Sequence, residues 1–279
     1  MSNKGFLILA QNSEGIDYVQ QAYLLALSIA RTQSRYKSVS LLTNDPVPEK
    51  YKHAFENIIP IPWEDSAEGT VWKVENRWKF IYASPYEETI VLDSDMLFFN
   101  DITETWDHLS NYDLFFTSKA YDYKERAITD LKNRRTFIEN SLPNIYFALH
   151  YFKKTKFAFE FYKTLEMVCR NWKSFYSQIT PKATQSWLSM DVSTAITIKI
   201  LGIEDQVTNP SIDFSFVHMK PNVQQWSPIP YRWTDSADFY MTEDFQLYIN
   251  QFKQNKIFHY TEHEFLNEQI LKILESANV

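Results

Sequence analysis

The sequence is short of glycine, with 4 in 279 residues, against about 7% in an average chain. That shortage excludes the glycine-rich loops in which many nucleotide-binding proteins cradle phosphate, so any phosphate bound here needs another holder. A single cysteine, Cys169, excludes an internal disulfide and a cysteine-rich zinc centre. It lies in the helical pattern "FAFEFYKTLEMVCRNW" and reads as a small buried hydrophobe. Positive charge is also in deficit: 28 Lys and Arg face 35 Asp and Glu, for a net charge of −7. Stable nucleic-acid binding needs clustered basic residues and is not expected; an acidic site assisted by a cation suits this balance better. Long apolar runs are missing. The opening "MSNKGFLILAQNSEG" is too brief for a signal core or a membrane span, so no membrane span and a cytoplasmic location are expected. No Ser/Gly/Pro-rich tract, charge block or internal repeat interrupts the chain. One domain over residues 1–279 is therefore the expectation.

What is present is ample core material, 44% hydrophobic and 16% aromatic, enough to exclude disorder. The first half alternates short apolar runs with amphipathic stretches. "GFLILAQ" (5–11), "SVSLLTND" (38–45), "NIIPIP" (57–62) and "ETIVLD" (88–93) read as strands; 17–32, 49–56 and 73–86 read as helices. Near-continuous apolar strands alternating with helices predict a mostly parallel sheet with helices on both faces. The second half is less regular. Strands are expected at 113–118, 144–153, 213–221 and 256–260, and helices at 155–178, 189–202 and 262–277. An α/β core with a mixed edge sheet is the simplest architecture. Ligands of such sheets sit beyond the carboxyl ends of the strands, and "LAQN", "LLTND" and "VLDSD" all end in polar residues there.

In "EETIVLDSDMLFFND" (87–101) an apolar strand ends in two aspartates separated by one serine. Solvating a turn would explain an isolated pair of this kind. Flanked on both sides by apolar chain, Asp93 and Asp95 instead read as carboxylates that converge, repel, and are relieved by a hard divalent cation with oxygen ligands. Such an ion would neutralise a diphosphate, as a glycine loop would elsewhere.

The segment "RWKFIYASPYEETIVLDSDMLFFNDI" (77–102) resembles the D-x-D region of nucleotide-sugar glycosyltransferases of the GT-A fold, most nearly the glycogenin-like family 8 enzymes. "ILAQNSEGIDYVQQAYLLALSI" and "VSLLTND" are similar to that family's opening strand, helix and second strand, so the likeness covers about the first 120 residues. The resemblance implies a GT-A domain with a nucleotide-binding half (1–120) and an acceptor half with a C-terminal segment (121–279). Its implied activity is metal-dependent, retaining transfer of a sugar from a nucleotide-diphosphate donor, by default a UDP-sugar, to a glycan or other hydroxyl. Carried over by residue, Asp93 and Asp95 hold Mn²⁺ or Mg²⁺ and the diphosphate, and Ser94 lies near the ribose. Ala10, Gln11 and Asn12 line the base and ribose pocket, and Tyr18 stacks on the base. Lys79, or alternatively Arg77, reaches phosphate or donor sugar, and Lys220 contacts the diphosphate. The family completes its metal site with a late histidine. His259 in "KIFHYTEHEF" is favoured, with His218 in "FSFVHMKPNVQQW" as the alternative, because the Gly and Lys-Pro-Trp that usually follow such a histidine are missing after His259.

Asp191 in "SMDVSTAI" has two readings, a cap on the first helical turn or a group that orients or deprotonates the acceptor. The aromatic residues Trp226, Tyr231, Trp233 and Tyr240 are candidates for a sugar platform, though core packing is their commoner use. Two alternatives stand beside the transferase: a non-catalytic nucleotide- or sugar-binding protein on the same fold, and a nucleotidyltransferase. The latter usually carries a glycine- and basic-rich N-terminal loop, unlike "AQNSEGIDY".

Overall fold

In a computed structural model that describes residues 3–70, 73–128, 134–220 and 232–276, the strands predicted from the apolar runs form the centre of the molecule. β1 (Lys4–Leu9), β2 (Val39–Leu42), β3 (Asn57–Ile59) and β4 (Glu88–Asp93) are parallel neighbours in the order β3-β2-β1-β4. After β4 come β5 (Met96–Leu97), β6 (Leu114–Thr117), β7 (Lys119–Tyr121) and β8 (Tyr146–Lys153). β8 runs antiparallel between β4 and β6, which completes a six-stranded sheet and makes one side of it mixed. The chain closes with β9 (Ser215–His218), β10 (Phe239–Met241), β11 (Leu247–Ile249), β12 (Phe252–Lys253) and β13 (Ile257–His259). A second sheet has the order β5-β13-β9-β7, and β10-β11-β12 form a small antiparallel one.

Alternation along β1 divides the core into two layers. Phe6 and Ile8 face the helix Tyr18–Thr32 and the C-terminal helix, while Leu7 faces the opposite cluster, with Val91 and the helices Lys156–Arg170 and Met190–Leu201. Each such fully buried side chain contributes about 1.5–3 kcal/mol. Asp17 caps the first helix through Gln20 N. No helix of the described residues is long and apolar enough to cross a membrane.

Four expected helices are shorter or divided; that at 49–56 spans only Glu49–Lys52. The stretch 155–178 breaks at Asn171 into Lys156–Arg170 and Trp172–Ile179. The Asn171 side chain donates to Met167 O, so it competes with helix continuation. The expected helix 73–86 reduces to a 3₁₀ turn, Arg77–Lys79, followed by Phe80–Ala83. At the C-terminus a 3₁₀ turn, His263–Phe265, precedes Glu268–Ser276, and Asn267 Oδ1 accepts from Ile270 N at its start.

One glycine is required by close packing. A Cβ on Gly5 would meet the Tyr86 ring at 2.3 Å, and that ring is buried, with its hydroxyl bonded to Ser40 Oγ at 2.7 Å. Gly5→Ala is expected to destabilise the fold by roughly 1–3 kcal/mol through overpacking, measured as a lower urea midpoint with an unchanged slope.

His150 on β8 is fully buried, with Nδ1 at 2.7 Å from Phe147 O and Nε2 at 2.7 Å from Tyr162 Oη. Burial drives its pKa down to about 3, from an ordinary 6.5. Between those values the unfolded chain binds the proton that the folded chain refuses. The stability at stake is therefore fully present above pH 6.5, falls as pH drops towards 3, and amounts to roughly 4–5 kcal/mol. His150→Gln, which can keep both hydrogen bonds without titrating, is expected to move the midpoint of acid unfolding to lower pH.

Candidate active site

β4 ends at Asp93, in register with Leu9 of β1, so the carboxylate emerges at the carboxyl edge of the parallel sheet. The chain then turns through Ser94 and Asp95 into β5, which pairs antiparallel with β13 and sets Met96 opposite His259. Tyr260 N donates to Asp95 O at 3.1 Å and locks the turn. His259 Nε2 consequently lies 3.1 Å from Asp95 Oδ1. Ligand atoms of Asp93, Asp95 and His259 all fall within 4.8 Å of one another. Two carboxylate oxygens and an imidazole nitrogen fit Mn²⁺ or Mg²⁺ in type, with positions left for other oxygen ligands.

The second candidate histidine, His218, is the parallel partner of His259 in β9, and the rings stack at 4.8 Å and 20°. Burial, then the charges of His259 and Lys220, hold His218 well below its ordinary pKa, which keeps it neutral. Burial pushes His259 down too, but the facing Asp95 carboxylate outweighs it and the net direction is up. Asp95 shows the reciprocal balance: burial raises it, His259 lowers it more, and the carboxyl lies below its usual range. Asp93 goes the other way. Burial raises it, Asp95 adds to the rise, and the Arg77 guanidinium 2.7 Å away only partly compensates.

Of the two basic candidates before the motif, Arg77 is the one that meets the carboxylates. Lys79 is fully buried; its ammonium donates to Glu64 O and, at 2.8 Å, to Asn76 Oδ1. Burial lowers its pKa, and Asp65 and Glu64 are the carboxylates that oppose the shift. Gln11 joins the same network: its Nε2 donates to Asp65 Oδ2 at 2.9 Å, and its Oε1 accepts from Asn76 Nδ2 at 2.9 Å. Asp65 escaped sequence reasoning because it lies in irregular chain, and Asn76 because its stretch was read as a helix. Asn12 uses its backbone N on Asp45 Oδ2 at 2.7 Å and its Oδ1 on Val19 N at 3.1 Å. Ala10 and Ser94 are buried, at the ends of β1 and β4. Tyr18 is half-buried, bonded to Ser13, and within electrostatic reach of Asp95, Arg77 and Asp93. Lys220 is exposed and acts on His259.

Asp191 does not cap its helix. Ser189 does, through Val192 N, and Gly202 closes the other end at φ 65°. The Asp191 carboxylate binds Arg134 Nη1 at 2.6 Å and accepts from Phe147 N at 2.8 Å, while its charge still reaches Asp93. Arg134 was not anticipated. It lies between the Phe137 and Tyr146 rings, at 3.8 and 4.3 Å, and also binds Asn144 and Ile145 O. Among the platform candidates, Trp233 is wholly buried and Tyr240 is exposed, stacked on Tyr248. Trp226 and Tyr231 lie outside the described residues.

No family model and no curated protein matches this chain. Solved structures do. The galactosyltransferase LgtC in complex with donor and acceptor sugar analogues aligns at a TM-score of 0.58 and 12% identity, covering 99% of this chain and 96% of that one. An active-site mutant of LgtC aligns at 0.51 and 12%, covering 98% and 95%. The apo form of mouse xyloside xylosyltransferase 1 aligns at 0.47 and 11%, covering 74% and 84%. The LgtC alignments span nearly the whole of both chains, and the fold is that of the GT-A glycosyltransferases.

Breaking a buried ion pair strands its remaining partner, and Arg134 is only 8% exposed beside an Asp191 that is 28% exposed. Arg134→Met is expected to lower the unfolding free energy by about 3 kcal/mol, read from urea denaturation.

Proposed function

We propose that the protein is a glycosyltransferase that moves a sugar from a nucleotide-diphosphate donor, a UDP-sugar by default, to a hydroxyl acceptor. Asp93, Asp95 and His259 would hold Mn²⁺ or Mg²⁺. The observation that carries this reading is the meeting of those three side chains at the carboxyl end of β4, in a GT-A fold. A divalent ion bound there supplies charge stabilisation to the departing nucleoside diphosphate.

The chain's own residues do the rest. Ala10, Gln11, Asn12 and Tyr18 line the nucleoside side of the crevice, with the Gln11 amide oriented by Asp65 and Asn76. Arg77 and the exposed Lys220 bring positive charge to the diphosphate. Lys79 acts one step back, through Asn76. Asp191, clamped by Arg134 and Phe147 N, serves the acceptor by orienting or deprotonating its hydroxyl.

A second reading has one observation in its favour. Asp93 is already paired with Arg77 and Asp95 with His259, a self-neutralised arrangement suited to a nucleotide- or sugar-binding protein without turnover.

Calorimetric titration of UDP, GDP and ADP, each with Mn²⁺ and with chelator, separates the two. One nucleotide is expected to bind only with metal, and Asp95→Ala to weaken it by at least about tenfold, near 1.4 kcal/mol. Binding indifferent to both metal and Asp95 would sink the metal-diphosphate mechanism. Metal-dependent nucleotide binding with no consumption of any sugar donor would favour the second reading.

A further inference from the structure

The chain leaving β3 exposes an aromatic surface that the site described above does not use. Trp63 is 65% exposed, and its indole lies nearly parallel to that of Trp78, with centroids 5.9 Å apart and planes 13° apart. Tyr82, 37% exposed, meets Trp63 edge-on at 5.2 Å, and Phe159, 37% exposed, continues the row 5.8 Å beyond Tyr82. Charged groups of both signs rim this ledge. Arg170 covers Trp78 at 5.1 Å, donates to Glu166 at 2.8 Å and lies 3.9 Å from Glu64.

The backbone adds an independent observation. Trp63 has φ 60°, in the left-handed region that a bulky side chain enters only at a cost. Two other aromatic residues share that strain, Tyr36 at φ 53° and Phe245 at φ 66°, and both pack against the main core. Burial compensates them. Trp63 obtains no comparable burial, so its strain maintains an exposed indole. Strain of this kind, where folding does not explain it, points to function. The ledge is also held rigidly: Glu64 O accepts from Lys79, and Asp65 binds Gln11 and Asn76.

We propose that Trp63, Tyr82 and Phe159 form a second carbohydrate site that binds a pyranose ring of a glycan. A pyranose offers an apolar C–H face, which lies flat on an aromatic ring, and an equator of hydroxyls. Here the planar indole supplies the first contact; Arg170, Glu64 and Glu166 supply donors and acceptors for the second. Carboxylates at the rim disfavour a bilayer surface, and a preformed aromatic face loses little entropy on binding. In a transferase, such a ledge would hold a distal part of a glycan acceptor. That role rests on the transferase reading, whereas the binding itself does not.

The test titrates maltohexaose, cellohexaose, xylohexaose and chitohexaose into the protein without nucleotide, following tryptophan fluorescence and calorimetry. At least one is expected to bind. Trp63→Gly, which relieves the left-handed strain, is expected to unfold at an equal or higher denaturant concentration yet weaken that binding by about tenfold. Trp187→Ala, which removes another exposed tryptophan, is expected to leave it unchanged. Failure of all four sugars, equal binding by Trp63→Gly, or Trp63-dependent binding to phosphatidylcholine–phosphatidylglycerol vesicles instead of sugar would overturn the proposal. Nucleotide binding without sugar binding would remove the ledge alone. Sugar binding without nucleotide binding would keep the ledge as a glycan site and remove the transferase.

Discussion

Two carboxylates placed one residue apart at the end of a buried strand repel each other, and this part of the molecule is arranged around that repulsion. Asp93 and Asp95 cannot separate, because β4 is fixed between β1 and β8 and the turn after it is held by the pairing of β5 with β13. The fold therefore brings opposite charge to them. Arg77 comes from the turn preceding β4, and His259 from a strand more than 160 residues later in the chain. The second sheet is the means of that long closure: its strands β5, β13, β9 and β7 come from distant parts of the sequence, and its register sets His259 and His218 side by side. Burial raises the energy of every charge in the cluster, so each carboxylate depends on its partner, Asp93 on Arg77 and Asp95 on His259.

The pair of Arg134 and Asp191 is held differently. Arg134 is buried between two aromatic rings and divides its donors among Asp191, Asn144 and Ile145 O. A guanidinium with that many fixed partners is rigid, and it makes Asp191 rigid too. The first turn of the helix Met190–Leu201 is thus tied to the start of β8, and Asp191 holds a set direction towards the crevice. Its two oxygens are engaged by Arg134 and Phe147 N.

Much of this was legible from the sequence where a periodic pattern or a terminator carried it. β4 was read at its observed bounds because an apolar run met Glu88 at one end and Asp93 at the other. The helix Met190–Leu201 was read closely as 189–202, but with Asp191 as its cap, where Ser189 fills that place. Asp93 and Asp95 were candidates because they end an apolar strand, and His259 because the resemblance implies a late histidine. What escaped lies in irregular chain. Asp65 has no periodicity to reveal it, Asn76 was hidden in an expected helix, and Arg134 borders a stretch outside the described residues. β5 has only two residues, too few for an alternating pattern, so its pairing with β13, which brings His259 to Asp95, could not be drawn from the sequence.

The choice between Arg77 and Lys79 shows why local geometry, more than residue type, decides such assignments. The stretch was read as an α-helix, whose step of about 100° would set Arg77 and Lys79 on opposite sides. It is instead a three-residue 3₁₀ turn, with about 120° between successive side chains. Three neighbouring residues must then point in three directions. Arg77 takes the direction of Asp93. Lys79 is sent into the interior, where its buried ammonium fastens Glu64 O and Asn76. Trp78 takes the remaining direction and supplies the indole beneath Trp63. One short turn thereby sets a cation at the carboxylates, the anchor of the loop that orients Gln11, and the floor of the aromatic ledge.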